Sequence, residues 1–153
     1  MNFGFSFVGL LFLVMLFVPN MIWTKFKPVD YDSFSQNENP ILLILERIGE
    51  VSITCLALFT DIKFSWSLLL FAALFLMILY EIHWIRYFKS NHTMEDMCRD
   101  FCFIPLPGAT LPVFAFLLLG LYVDNVLLVV SAIILGIGHI GIHFNHRKEA
   151  SLN

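Results

Sequence analysis

Glu46, Arg47 and Glu50 fall within five residues of one apolar run, and His139 and His143 sit four apart in another. Carboxylates and imidazoles in apolar company are the groups that transfer protons and ligate metals. Glu46 and Glu50 are four apart, so they share a helix face. Glu50 reads as a general base with Glu46 beside it, and His139 as an acid or ligand. Arg47 reaches Glu50 or clamps an anion. The blander alternative is a structural ion pair that ties this run to a neighbour. His139, His143 and His146 follow an i, i+4, i+7 pattern that lines one stripe of a helix. Two histidines at that spacing hold one metal in the H-E-x-x-H motif, but the residues between these are Ile140, Gly141 and Ile142, so the motif's glutamate is missing. A metal reading therefore draws on His139, His143 and Glu50, with a divalent zinc or iron. Glu46 and Glu81 are the other carboxylates that would complete its shell.

A third group lies at Tyr80, His83, Trp84 and Tyr87, which share a face. Glu81 points roughly the other way. His83 and His143 join Arg47 as substrate-binding candidates. Arg86 either recognises an anion with them or carries its charge out to the headgroups.

These groups need elements to hold them. The chain is 59% hydrophobic and 14% charged over 153 residues, against about 45–50% and about 25% in a soluble domain. Five apolar stretches, about 3–23, 40–60, 65–88, 104–123 and 125–146, approach the roughly 20 residues that cross a bilayer. The reading is an all-α integral membrane protein, a five-transmembrane-helix bundle, with residues 1–153 as a single membrane domain. The first stretch lacks the leading positive charge and small-residue site of a cleaved signal, so it is kept as a span. Asn39-Pro40 starts the second span with a cap and a proline. Ser65 is read as the cap of the third and Asn125 as that of the fifth. Pro19 should loosen the end of the first.

Lys25, Lys27, Lys89, Arg99, Arg147 and Lys148 collect on one side, with Arg86 close by, and only Lys63 on the other. The positive-inside rule makes the rich side cytoplasmic, with the N-terminus outside. Trp23, Trp84 and Tyr87 then form an inner aromatic belt, and Trp66 and Tyr122 an outer one. Glu46 lies about 9 Å and Glu50 about 15 Å along the second span. Three spans thus bring ionisable groups to one layer, where such groups face a cavity or a partner. The small net charge of −3 shows no basic patch, so no nucleic acid is expected.

Between the third and fourth spans, Thr93 to Ile104 reads as a short amphipathic interfacial helix. Met94, Met97, Cys98, Phe101 and Cys102 form its apolar face, and Thr93 with Asp96 caps it. Pro105, Pro107, Gly108 and Pro112 weaken the start of span four; freed carbonyls at that depth need protein or water around them. Gly136, Gly138 and Gly141, with Ala132, let span five approach its neighbours closely. No internal repeat of the kind many transporters carry is evident.

Several local patterns occur together: Asn20-Met21-Ile22-Trp23 with Lys27-Pro28, Leu45 to Glu50, Trp84 to Phe88, and Gly136 to Ile140. They resemble a group of small, uncharacterised multi-span proteins of Firmicutes such as clostridia. The resemblance implies a bacterial cytoplasmic (cell) membrane location and assigns no role to any residue.

Three functional readings follow. The leading one is a cytoplasm-facing pocket, lined by Glu46, Arg47, Glu50, His83, His139 and His143, that binds or modifies a small amphiphile or lipid headgroup. The second is transport of a proton, metal ion or small solute by a homo-oligomer. The third is a non-catalytic subunit whose charges pair with another membrane protein. Membrane lipids are the expected partners in each.

Overall fold

Asn39 accepts hydrogen bonds from the backbone N–H groups of Ile41 and Leu42, and Pro40 follows at the first helical position. The expected start of the second span is thus met. The computed structural model describes residues 4–62 and 64–151. The expected start of the first span at Phe3 and the lone outer cation Lys63 lie outside the described residues. The elements are α1 (Phe7–Trp23), α2 (Tyr31–Ser35), α3 (Pro40–Phe59), α4 (Leu68–Phe88), α5 (Met94–Cys98), α6 (Pro107–Tyr122) and α7 (Val126–Ala150), with no strand among the described residues.

The protein is all-helical. By length and composition, α4 and α7 are long and apolar enough to cross a membrane. The apolar α1 and α6 are shorter, at 17 and 16 residues. The 20-residue α3 carries three charged side chains. The long helices contact one another mainly in the cyclic order α1, α3, α7, α6, α4 and back to α1, while α5 rests on α7 and α6. Phe12, Ile53, Ala57, Ala73, Met77, Phe116, Leu119 and Leu128 are fully or almost fully buried between them. The outward face of α4 is different: Phe71, Phe75, Ile78, Ile82 and Ile85 form an exposed apolar stripe.

Glycines set how close the helices come. A Cβ on Gly138 would lie 2.4 Å from the backbone nitrogen of Glu46. One on Gly49 would lie 2.5 Å from that of Leu135. The backbones of α3 and α7 therefore touch at two points, which fixes their register. Gly9 makes the same close approach to the Ala57 carbonyl, between α1 and α3.

Several boundaries depart from expectation. Ser67, not Ser65, caps α4 by accepting from Leu69, and the Ser65 N–H donates to the Tyr122 hydroxyl at 2.8 Å. Pro19 leaves α1 intact to Trp23. The helix α6 starts at Pro107 rather than Ile104, because Leu106 takes the left-handed conformation just before it. Pro112 sits inside α6 without ending it. The interfacial helix is short. Arg99 turns extended after Cys98, and Phe101 and Ile104 exchange hydrogen bonds of 3.1 and 2.9 Å around Cys102 and Phe103, both at positive φ. The capping box of Thr93 and Asp96 is present. Met94, Met97 and Cys98 are buried in the protein, and burial pushes the Cys98 thiol up to about 11. Cys102, expected on the same face, is exposed in the turn.

Asn125 caps α7 by accepting from Leu128, and its amide donates to the Thr60 hydroxyl at 3.0 Å. Asn125→Ala removes both bonds from a buried position. It is expected to cost about 1–2 kcal/mol, read as a lowered denaturation midpoint in mixed micelles. A change below about 0.3 kcal/mol would show that this cap contributes nothing.

Candidate functional site

The contact of Gly138 with the α3 backbone puts the next residue, His139, beside Glu46. The imidazole Nδ1 lies 2.5 Å from Glu46 Oε1. A carboxylate accepts only, so Nδ1 carries the proton and donates it. In neutral His139 this leaves Nε2 as a free base. A carboxylate so placed can hold an imidazole in one tautomer and orientation. Glu50, expected to be the base, is engaged elsewhere: Arg47 donates to its Oε2 at 2.7 Å. Arg47 is mostly exposed and also stands 3.9 Å from Glu46.

Both pairs open onto one cavity of about 270 Å³. Its wall takes Leu16, Asn20 and Trp23 from the end of α1, Glu46, Arg47 and Glu50 from the start of α3, and Trp84 from the end of α4. Gly108 and Pro112 come from the start of α6, Leu135 from just before the middle of α7, and His139, Ile142, His143 and His146 from its far half. The expected convergence of α3 and α7 groups is therefore present. The rings of His139 and His143 are 4.6 Å apart, and those of His143 and His146 are 6.1 Å apart.

Two expected lining residues are elsewhere. His83 lies fully buried behind Gly108; a Cβ on that glycine would be 3.2 Å from His83 Nε2. Arg86 points away from the cavity. It donates to the carbonyls of Asp100 at 2.9 Å and Arg99 at 2.7 Å, and stacks over Phe101. Its other contact is His83 Nδ1 at 3.3 Å. Trp84 and Tyr87 are buried among helices rather than arrayed toward lipid, because their face of α4 packs inward. Glu81 is not on the cavity wall, consistent with its opposite direction on α4. Among the described residues, no group of three His, Cys, Asp or Glu side chains is arranged to hold a metal ion.

The loop between α1 and α3 supplies residues that sequence reasoning missed. Tyr31 and Glu38 line the cavity, and Glu38 Oε1 lies 3.1 Å from His146 Nε2, outside hydrogen-bond alignment. Tyr31 and Phe34 both pack edge-on against the His146 ring, and Trp23 packs against Tyr31. The available signal was the apolar pair Tyr31 and Phe34, three apart in a polar stretch, which is the spacing of one helical face.

Burial pushes the Glu38 carboxyl up, the charge of Glu46 adds to the rise, and Arg47 opposes it. Burial and the Glu38 charge also push the Tyr31 hydroxyl up to about 12. The folded state thus keeps the Glu38 proton at a pH where the unfolded chain has released it. The contribution to stability is full below the ordinary carboxylate value and is lost as pH rises through the raised one. Glu38→Gln should flatten that loss, seen as a gap between wild-type and variant denaturation midpoints that changes as pH rises above the ordinary carboxylate value. A gap that stays constant with pH would contradict this.

No protein-family model, no curated protein and no solved structure shows a significant match to this chain.

Proposed function

We propose that this chain is a multi-span membrane protein that binds or modifies a small amphiphile, such as a lipid, whose polar head enters the cavity beside Glu46 and His139. The observation that carries the reading is the composition of that one cavity. A carboxylate–imidazole dyad, a second Arg–Glu pair and Glu38 share its wall with Leu16, Leu43, Met97, Leu135 and Ile142. Ligand sites commonly combine an apolar wall with a few converging polar groups. His139 Nε2 is the base of the site, Glu46 holds its tautomer, and Arg47 meets an anionic group at the rim.

The membrane setting rests on α4 and α7 and on the exposed apolar stripe of α4. A stripe of that kind is unusual in water. In this reading all five long helices cross, the N-terminus is outside, and the cavity opens at the inner headgroup layer of a bacterial cytoplasmic membrane. The clustering of Lys and Arg at the cavity end supports that orientation. Reporter fusions at both termini test it, and a cytoplasmic N-terminus would reverse it.

The function is tested by purifying the full chain in non-ionic detergent, extracting it and analysing the extract by mass spectrometry. One class of amphiphile retained at about one per chain is expected. Recovery of only bulk lipid in membrane proportions would count against the reading. Substrate-dependent proton flux in proteoliposomes would favour transport instead.

A further inference from the structure

The charges on the cavity wall do not balance. Three carboxylates, those of Glu38, Glu46 and Glu50, stand there against the single guanidinium of Arg47. Arg47 is committed to Glu50 at 2.7 Å, and Glu46 accepts the Nδ1 proton of His139. Glu38 has no such partner. His146 Nε2 is 3.1 Å away but out of hydrogen-bond alignment. The Glu38 side chain keeps 12% of its surface exposed and lies in the cavity wall, so a bound molecule can reach it. Unlike Glu81, it has no oxygen sealed away without a partner. Burial and the Glu46 charge push its carboxyl up even with Arg47 opposing them, which is how an acid responds when negative charge around it is in excess.

A second observation shows what this part of the wall attracts. Trp23 and Tyr31 pack edge to face on the same cavity, and together they already hold an ammonium group. Lys27 Nζ lies 5.4 Å from the centroid of each ring, within the roughly 6 Å over which an aromatic face attracts a cation. Lys27 itself is exposed and is not part of the cavity wall, so its charge leaves Glu38 uncompensated. His139 Nε2 adds a further acceptor while that ring is neutral. A wall with spare acceptors and aromatic faces suits an organic cation with N–H donors. A bare metal ion fits less well, since no three ligating side chains among the described residues are arranged for one.

We infer that the head of the bound amphiphile carries a primary ammonium group, held by the Glu38 carboxylate beside the Tyr31 and Trp23 rings. This rests on the amphiphile reading above and adds the charge of the head. Arg47 has donors beyond the one given to Glu50, and at the rim it faces the phosphate that joins such an amine to a lipid.

The test is titration of the purified full chain with dihexanoylphosphatidylethanolamine and dihexanoylphosphatidic acid, which share the phosphate and differ in the amine, followed by tryptophan fluorescence. The ethanolamine lipid should bind at least about tenfold tighter, as expected for a charge-assisted hydrogen bond. Glu38→Gln, and independently Glu38→Lys, should bring that ratio to about one without weakening dihexanoylphosphatidic acid. Asp32→Asn, which removes an exposed acid of the same loop away from the cavity wall, should keep the ratio. Failure of free ethanolamine to displace the lipid at similar concentration is expected and identifies a lipid head; displacement would identify a free amine as the natural occupant. The ammonium subsite is overturned if the two lipids bind equally, or if both Glu38 variants keep the preference. Equal binding would leave the amphiphile reading standing, whereas binding of neither lipid would remove both.

Discussion

Replacing Gly138 with valine should abolish nearly all recovery of folded protein. The new Cβ would lie 2.4 Å from the Glu46 nitrogen and 2.6 Å from the Leu42 carbonyl oxygen. Both are backbone atoms of α3, so no side chain can rotate out of the way. The helices would have to separate along their closest seam. Overpacking of a well-filled interior costs about 1–3 kcal/mol and more where the backbone must move, so a loss of at least about 3 kcal/mol is expected here. The same separation would pull His139 from Glu46. Gly141→Ala is the control: the nearest atoms to its Cβ are the ends of the Leu42 side chain, at 3.1 and 3.2 Å, rather than backbone. Size-exclusion profiles and denaturation in mixed micelles distinguish the two. A Gly138→Val protein as stable as wild type would show that α3 and α7 do not pack as described.

Glu46→Gln should leave the fold almost unchanged and lower amphiphile affinity about tenfold, as expected when a hydrogen bond to a charged group becomes a neutral one. The amide keeps the shape of the carboxylate and can still accept from His139 Nδ1. It lacks the negative charge that Glu46 sets against the ring, and its other terminal atom is a donor rather than an acceptor. If the bound molecule is turned over, the rate should fall by about 10²–10⁴-fold, the usual contribution of a positioned acid–base group. Glu50→Gln should do much less, since Glu50 pairs with the mostly exposed Arg47 at the rim. Retained amphiphile per chain and dissociation constants for dihexanoylphosphatidylethanolamine provide the readout. A Glu50→Gln protein more impaired than Glu46→Gln would return the base to Glu50.

That reversal between two glutamates four residues apart shows how far the residue pattern reaches. Spacing places Glu46 and Glu50 on one face of a helix and His139 and His143 on one face of another. It also marks Gly138 as a packing residue. It does not say that Gly138 meets α3 at Glu46 rather than one turn later, and that contact decides which carboxylate meets the imidazole. His83 read as a pocket-lining residue with Arg86 three residues on; the structure buries it instead, because Gly108, which covers it, comes from a different helix. The loop from Thr24 to Asn39 read as a polar connection, since Tyr31, Phe34 and Glu38 acquire a role only when folded over His146.

By itself, the amino-acid sequence determined the long helices and the caps at Asn39, Thr93 and Asn125, because capping and apolar runs are local properties of a chain. It also determined that the ionisable groups of α3 and α7 meet at one end, since antiparallel connections leave those groups at matching depth. Tertiary structure alone decided the partners: Glu46 for His139, Arg47 for Glu50, Glu38 beside His146 and Gly108 before His83. Each depends on contacts between helices far apart in sequence, and a shift of one helical turn, about 5.4 Å, would exchange one partner for another while leaving every local pattern as it is.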